Sequence, residues 1–253
     1  MKVLGVIPAR GGSVGVKRKN LREIGGIPLV AHTINAALAS KHLTEFCVST
    51  EDEEIADVSR SYGAPVPFIR PMELAPDVKS ELVVEHAVNE YQMKGKTFDA
   101  VMLLQPTSPF RTSSTIDKAI DLLSKSEGRY SSVMTAKSIE GNRPEWMFRD
   151  IDGIAFPYVT ELNGSQRTTL ELVARQDLEV LFKPDGNIFL ATIAEFVETG
   201  NLVTENAAYF LTDSLESFDI DTEFEINSSP SINIENSQLY IYIGNENGDI
   251  YAF

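Results

Sequence analysis

The chain has 253 residues, enough to bury one sizeable core, and carries a net charge of -15. That acidity excludes nucleic acid and anionic membrane surfaces as partners, since both require a basic face. A single cysteine, Cys47, excludes a disulfide framework and a cysteine-rich zinc site, and no apolar run approaches a membrane span, so a cytoplasmic location is expected.

Met1 to Ile7 reads as a short buried strand ended by Pro8. Pro28 to Ala39 is apolar on most faces and opens on proline, which suits the first turn of a buried helix. A strand over 45–50 holds Cys47, expected as a small core residue. A surface helix follows over Asp52 to Tyr62, with acids in its first turn and Gly63 as its stop. Another helix is expected from about Glu81 to Met93, capped by Ser80 and ended near Gly95. Asp99 to Leu104 is a buried strand, Ser114 to Lys125 an amphipathic helix, and Ser131 to Ala136 a further strand. This alternation predicts an α/β fold with a mostly parallel sheet flanked by helices.

From Lys137 to about Ala174 the periodicity weakens while Trp146, Met147, Phe148, Phe156 and Tyr158 accumulate, which suggests a lobe that buries them against something else. Strand patterns return at Leu178 to Phe182 and Ile188 to Ala191. The tail, 227–253, begins rich in Ser and Asn and ends in two strand patterns around Asn247-Gly248, a possible β-hairpin. It looks like one motif of a quinoprotein-type β-propeller repeat, a unit that cannot bury its apolar face alone.

Behind the first strand lie Ala9-Arg10-Gly11-Gly12-Ser13 and Lys17-Arg18-Lys19-Asn20. The first twenty residues hold Lys2, Arg10, Lys17, Arg18 and Lys19 without one acid, a basic island in an acidic chain. Two glycines let the backbone N–H groups face an anion, and a turn after the first strand of such a sheet lies at the ligand-binding carboxyl edge. This is a phosphate-handling loop, though neither the P-loop nor the dinucleotide motif. The loop after Leu104, Gln105-Pro106-Thr107-Ser108-Pro109, emerges at the same edge, and Gln105, Thr107 and Ser108 offer polar contacts to a sugar or nucleotide. Near the other end, Asp219 and Asp221 lie two apart in Phe218-Asp219-Ile220-Asp221, so an extended backbone puts both carboxylates on one side and Phe218 and Ile220 in the core. Paired oxygen ligands suit Mg²⁺, which borrows its remaining oxygens from substrate phosphate and water. His32, His42 and His86 lie outside these blocks, so no histidine mechanism is expected.

The three blocks, in this order, resemble those of the acylneuraminate (sialic acid type) cytidylyltransferases over roughly residues 1–226. The resemblance implies a three-layer Rossmann-like nucleotidyltransferase fold in which 1–226 is the catalytic domain, with a dimerisation lobe at about 138–174 inserted in it and a likeness to homodimers. It implies transfer of CMP from CTP to the 2-hydroxyl of a nonulosonic acid, with release of pyrophosphate. Arg10, the N–H groups of Gly11, Gly12 and Ser13, and the Ser13 hydroxyl would then cradle the β- and γ-phosphates. Lys19 would lie near the α-phosphate, Asn20 would bind the ribose, and Arg70 and Ser80 would read the cytosine edge. Gln105 would contact the sugar, Arg175 and Lys183 its carboxylate, and Asp219 and Asp221 would be the Mg²⁺ ligands. Val14 departs from the lysine common in the family after Gly-Gly-Ser, Glu179 replaces a usual proline, and the helix usual after the aspartate block is missing. Two alternatives stay open: a cytidylyltransferase for an eight-carbon Kdo-type acid, and a catalytically weakened nucleotide-binding protein.

Overall fold

The computed structural model describes residues 1–13, 15–75, 78–139, 143–159 and 179–222 in full, and the backbone alone of 161–162, 165–166, 231–235, 238–244 and 250–252. The chain divides into two compact units, one of residues 1–136 and 184–253 and one of residues 137–183.

The six central strands are β1 (Val3–Pro8), β2 (Glu45–Ser49), β3 (Ala100–Leu103), β4 (Ser132–Ser138), β5 (Phe182–Thr192) and β6 (Ala207–Leu211), in the order β6-β4-β5-β3-β1-β2. β1 runs parallel to both β2 and β3, pairing Val6 with Cys47 and with Leu103, and β6 runs parallel to β4. β5 is antiparallel to β3, with Phe189 opposite Leu103. The helices are α1 (Leu29–Ala39), α2 (Glu53–Ser61), α3 (Ser80–Met93), α4 (Ser113–Ser124) and α5 (Ile193–Thr199).

Side chains alternate across the strands, and that alternation creates three layers. Val3, Ile7 and Val48 pack with Ile34 of α1, Ile55 of α2 and Ile116 and Ile120 of α4. Leu4, Val6, Cys47 and Leu103 face the other way, against Val84, Val88 and Tyr91 of α3 and Phe196 of α5. Cys47 is fully buried, and loss of solvation pushes its thiol up to about 12, so it serves as a core side chain. A third, smaller cluster of Ile24, Leu29 and Ile220, flanked by Phe110 and Phe218, seats the aspartate segment.

The expected elements of the first half are present, and the differences have local causes. Ser80 is the first residue of α3 rather than its cap; Lys79 precedes the helix with no side-chain cap, whereas Asp52 and Thr112 do cap α2 and α4 by accepting from Ile55 N and Thr115 N. Of the strand patterns expected at 178–182 and 188–191, the second lies within β5, which begins only at Phe182 and runs on through Pro184-Asp185 with Gly186 at a φ of 80°, while residues 179–181 are not in a strand. Leu178 lies outside the described residues. Helix α5 and strand β6 had no counterpart among the expected elements.

The second unit contains an antiparallel pair, Phe148–Ile151 with Ile154–Pro157, and a two-residue pairing of Glu161–Leu162 with Ser165–Gln166. Phe148, Ile151, Ile154, Phe156 and Tyr158 are exposed. The tail forms three antiparallel strands rather than two, Ser231–Glu235, Gln238–Gly244 and Ile250–Ala252; the first falls within the Ser- and Asn-rich stretch, where no strand was expected.

Candidate active site

At the carboxyl end of β1 the chain turns at Arg10 into the first loop, and Ala9 N donates to Ser49 O at 3.0 Å, tying this exit to that of β2. At the end of β3, Leu104 N donates to Val6 O at 2.9 Å, so the second loop leaves beside the first. Ile220 N donates to Thr107 O at 2.9 Å and thereby fastens the aspartate segment to the second loop. These three segments, with Arg70, Leu74, Val78, Ser80 and Val83 from the 70–83 region, enclose a polar cavity of about 300 Å³.

Of the residues expected to act, Arg10, Ser13, Lys19, Asn20, Arg70, Ser80, Gln105, Thr107, Asp219 and Asp221 line this one cavity. Lys19 Nζ donates to Ile220 O at 2.9 Å and lies 3.0 Å from Asp221 Oδ1, so the amino-terminal loop grips the aspartate segment directly. Gly15 sits so close to that segment that a Cβ would overlap the Asp221 carbonyl oxygen. Ile220 is fully buried while Asp221 is exposed, the alternation expected of an extended Phe-Asp-Ile-Asp run.

Several expectations need correction. Ser108 is only 1 % exposed, its Oγ is buried without a hydrogen-bond partner, and it does not line the cavity; the turn that presents Thr107 points Ser108 inward. The Gly11 N–H is not aimed at a phosphate but donates to Glu51 Oε1 at 2.8 Å. Gly12 is exposed, and neither glycine lines the cavity. Asn20 is buried, and its amide donates to Arg10 O at 2.9 Å, so it shapes the first loop as well as lining the cavity. Arg18 leaves the basic island: its guanidinium pairs with Asp52 and Glu54, and its bond to Asp52 holds that carboxyl below the usual carboxylate range. Lys183 belongs to the second unit and is exposed. Arg175 and Val14 lie outside the described residues.

Residues unremarked in the sequence support the site from behind. Arg111, 4 % exposed, donates to Asn187 O and Oδ1, Thr33 Oγ1 and Gln105 O, clamping the second loop to β5. Burial pushes its pKa down to about 9, while Asp185, Glu216 and Asp219 pull it upward. Asp185 is buried too and accepts from Thr135 Oγ1 at 2.6 Å and from Asn187 N at 3.0 Å.

Asp219 and Asp221 are the carboxylates among the described lining residues, and no group of three or more His, Cys, Asp or Glu suited to a metal occurs among the described residues. Two carboxylates on one wall fit an ion such as Mg²⁺, which takes one or two carboxylates and completes its octahedron from phosphate and water. They do not fit a fully protein-ligated ion.

A sheet with parallel strand ends that bring cations and paired carboxylates to one polar cavity is the architecture of an α/β nucleotidyltransferase. The chain matches the cytidylyltransferase family over residues 4–202 and belongs to it. It is 38 % identical over 233 residues to the CMP-N,N'-diacetyllegionaminic acid synthase of Legionella pneumophila, covering 89 % of this chain and 93 % of that protein. It is 31 % identical over 225 residues to the N-acylneuraminate cytidylyltransferase of an Escherichia coli strain, spanning 88 % of this chain but 50 % of the relative's length. Among solved structures, a CMP:2-keto-3-deoxy-manno-octonic acid synthetase complexed with CTP shares the fold, with a TM-score of 0.59 at 15 % identity over 88 % of this chain and 94 % of that one.

Proposed function

We propose that this protein is a Mg²⁺-dependent CTP:nonulosonic acid cytidylyltransferase. The observation that carries the reading is one cavity wall that joins Arg10 and Lys19 to Asp219 and Asp221. Arg10, the Ser13 N–H group and the Ser13 hydroxyl hold the β- and γ-phosphates by charge-assisted bonds. Lys19, fixed by Ile220 O, places its ammonium where charge grows on the α-phosphate. The sugar's 2-hydroxyl oxygen bonds to the α-phosphorus as the bond to pyrophosphate breaks, and the hydroxyl proton passes to water, since no histidine is among the described lining residues. Held by Asp219 and Asp221, Mg²⁺ would neutralise phosphate charge and orient the triphosphate. Gln105 and Thr107 address the acid from the second loop.

The legionaminic-type acid named for the Legionella relative is the first substrate to try. Purified protein incubated with CTP, Mg²⁺ and a panel of legionaminic, neuraminic, pseudaminic and Kdo-type acids is expected to release pyrophosphate with a nine-carbon acid. Release with none of them, or with the Kdo type alone, overturns the reading. The exposed Phe148, Ile151, Ile154, Phe156 and Tyr158 of the second unit support a further proposal, that a second copy of the chain covers them. Light scattering is expected to give twice the monomer mass, and Ile154→Glu with Tyr158→Glu to return it to the monomer. No helix among the described residues is long and apolar enough to cross a membrane, which is compatible with the expected cytoplasmic location.

A further inference from the structure

Glu51 follows β2 at the sheet edge, and its side chain is only 8 % exposed. One carboxylate oxygen accepts the Gly11 N–H at 2.8 Å, and the other pairs with the Arg70 guanidinium, itself 3 % exposed. The backbone repeats the linkage, because Arg70 N donates to Thr50 O at 2.8 Å. An acid is thus built into a site whose ligand is a polyanion. By Coulomb's law alone an unpaired carboxylate there would repel the triphosphate, so its presence needs a compensating task.

That task follows from the pairing. A guanidinium bound to a buried carboxylate is a neutral couple, poor at attracting phosphate, yet its remaining N–H groups are held in fixed directions. Arg70 lines the cavity while Glu51 is not among its lining residues, so the couple turns its arginine toward ligand and its acid toward the first loop. We infer that Glu51 is a positioning residue for base selection: it neutralises Arg70 and orients it to donate to uncharged acceptors, and so sets the preference for cytosine over uracil. Cytosine offers acceptors at O2 and N3, whereas uracil carries a hydrogen on N3 that would oppose a donor. Through the Gly11 N–H the same carboxylate ties the base reader to the start of the phosphate loop. This rests on the proposed use of CTP.

The test is calorimetric binding of CTP, UTP and inorganic tripolyphosphate to the full chain, wild type and Glu51→Gln. The amide keeps an acceptor for Gly11 but turns a donor toward Arg70, so CTP affinity is expected to fall about tenfold, the cost of one broken charge-assisted bond. The CTP-to-UTP preference should fall with it, while tripolyphosphate affinity is unchanged or higher because a negative charge has gone. Equal losses for all three ligands, with the CTP-to-UTP ratio intact, would mean that Glu51 only supports the loop, and would overturn the inference. Should Glu51→Gln fail to fold, Glu51→Asp keeps the charge but draws it back from Arg70, and an unaltered CTP-to-UTP ratio in that variant is equally fatal. A wild type that binds tripolyphosphate but does not prefer CTP to UTP would count against the proposed function itself.

Discussion

Loop 10–20 carries its cations into the cavity and is braced by carboxylates, Glu51 on Gly11 and Asp52 and Glu54 on Arg18; loop 105–111 is neutral toward the cavity and is braced from behind by a buried guanidinium, Arg111. The acidic braces are partly or largely exposed on Arg18 and buried on Gly11, and the far end of the first loop is held by Lys19 on Ile220 O and by Asn20 on Arg10 O. The second loop is held at Gln105, where the buried Arg111 donates to Gln105 O together with Thr33 Oγ1 and Asn187 O. The first loop is thus braced by carboxylates and the second by a guanidinium fork.

The strongest way to break this contrast is Arg111→Met, which strands the Gln105 and Asn187 carbonyls in the interior. A loss of about 3–5 kcal/mol in urea unfolding is expected, with collapse of the second loop. Next comes Asp221→Asn, which leaves Ile220 seated but removes a charge beside Lys19; turnover should drop by more than about 100-fold with an unchanged circular dichroism spectrum. Gly15→Ala sharpens the comparison from the other side. Its Cβ must push the backbone of Asp221 away, so nucleotide affinity is expected to fall by about ten- to a hundredfold in calorimetry, with a stability cost of about 1–3 kcal/mol.

The smallest effect concerns His32, whose Nε2–H donates to Ile24 O at 3.0 Å beneath the Ile220 cluster. Burial lowers its pKa, partly countered by backbone bonds to Ile24 and Ile27. The unfolded chain therefore takes up a proton first, and this share of stability is complete above the ordinary histidine value of about 6.5 and declines as pH falls through it toward the depressed folded value. Melting temperatures measured from pH 7.5 to 5.5, in steps of about half a unit, should fall more steeply for wild type than for His32→Gln.

The strands and helices of the first half and the three site segments were legible because each is a local signal. Val3 to Ile7 and Ala100 to Leu104 announce buried strands by composition, and the alternation in 218–221 announces which carboxylates face out. What stayed hidden depends on partners far along the chain. Arg18 read as one more cation of the island, since nothing near it in sequence tells that Asp52, 34 positions on, neutralises it. Ser108 read as a ligand group because its neighbours are, although a single turn residue decides whether a hydroxyl faces cavity or core. Glu51 drew no expectation from the sequence, because its grip on Gly11 and Arg70 spans three separate segments. The continuity of β5 was hidden because Pro184-Asp185-Gly186 carries turn chemistry; pairing with β3 begins only at Phe189, and β4 lies on the strand's other side.

The grip of Lys19 on Ile220 and Asp221 joins positions 201 and 202 apart in the chain. During synthesis the first loop therefore emerges from the ribosome long before the acids that complete it, and five of the six strands of the central sheet, β2 to β6, are made in between. Long-range closure of this kind is slow relative to local contacts, so catalytic competence is among the last properties the growing polypeptide acquires.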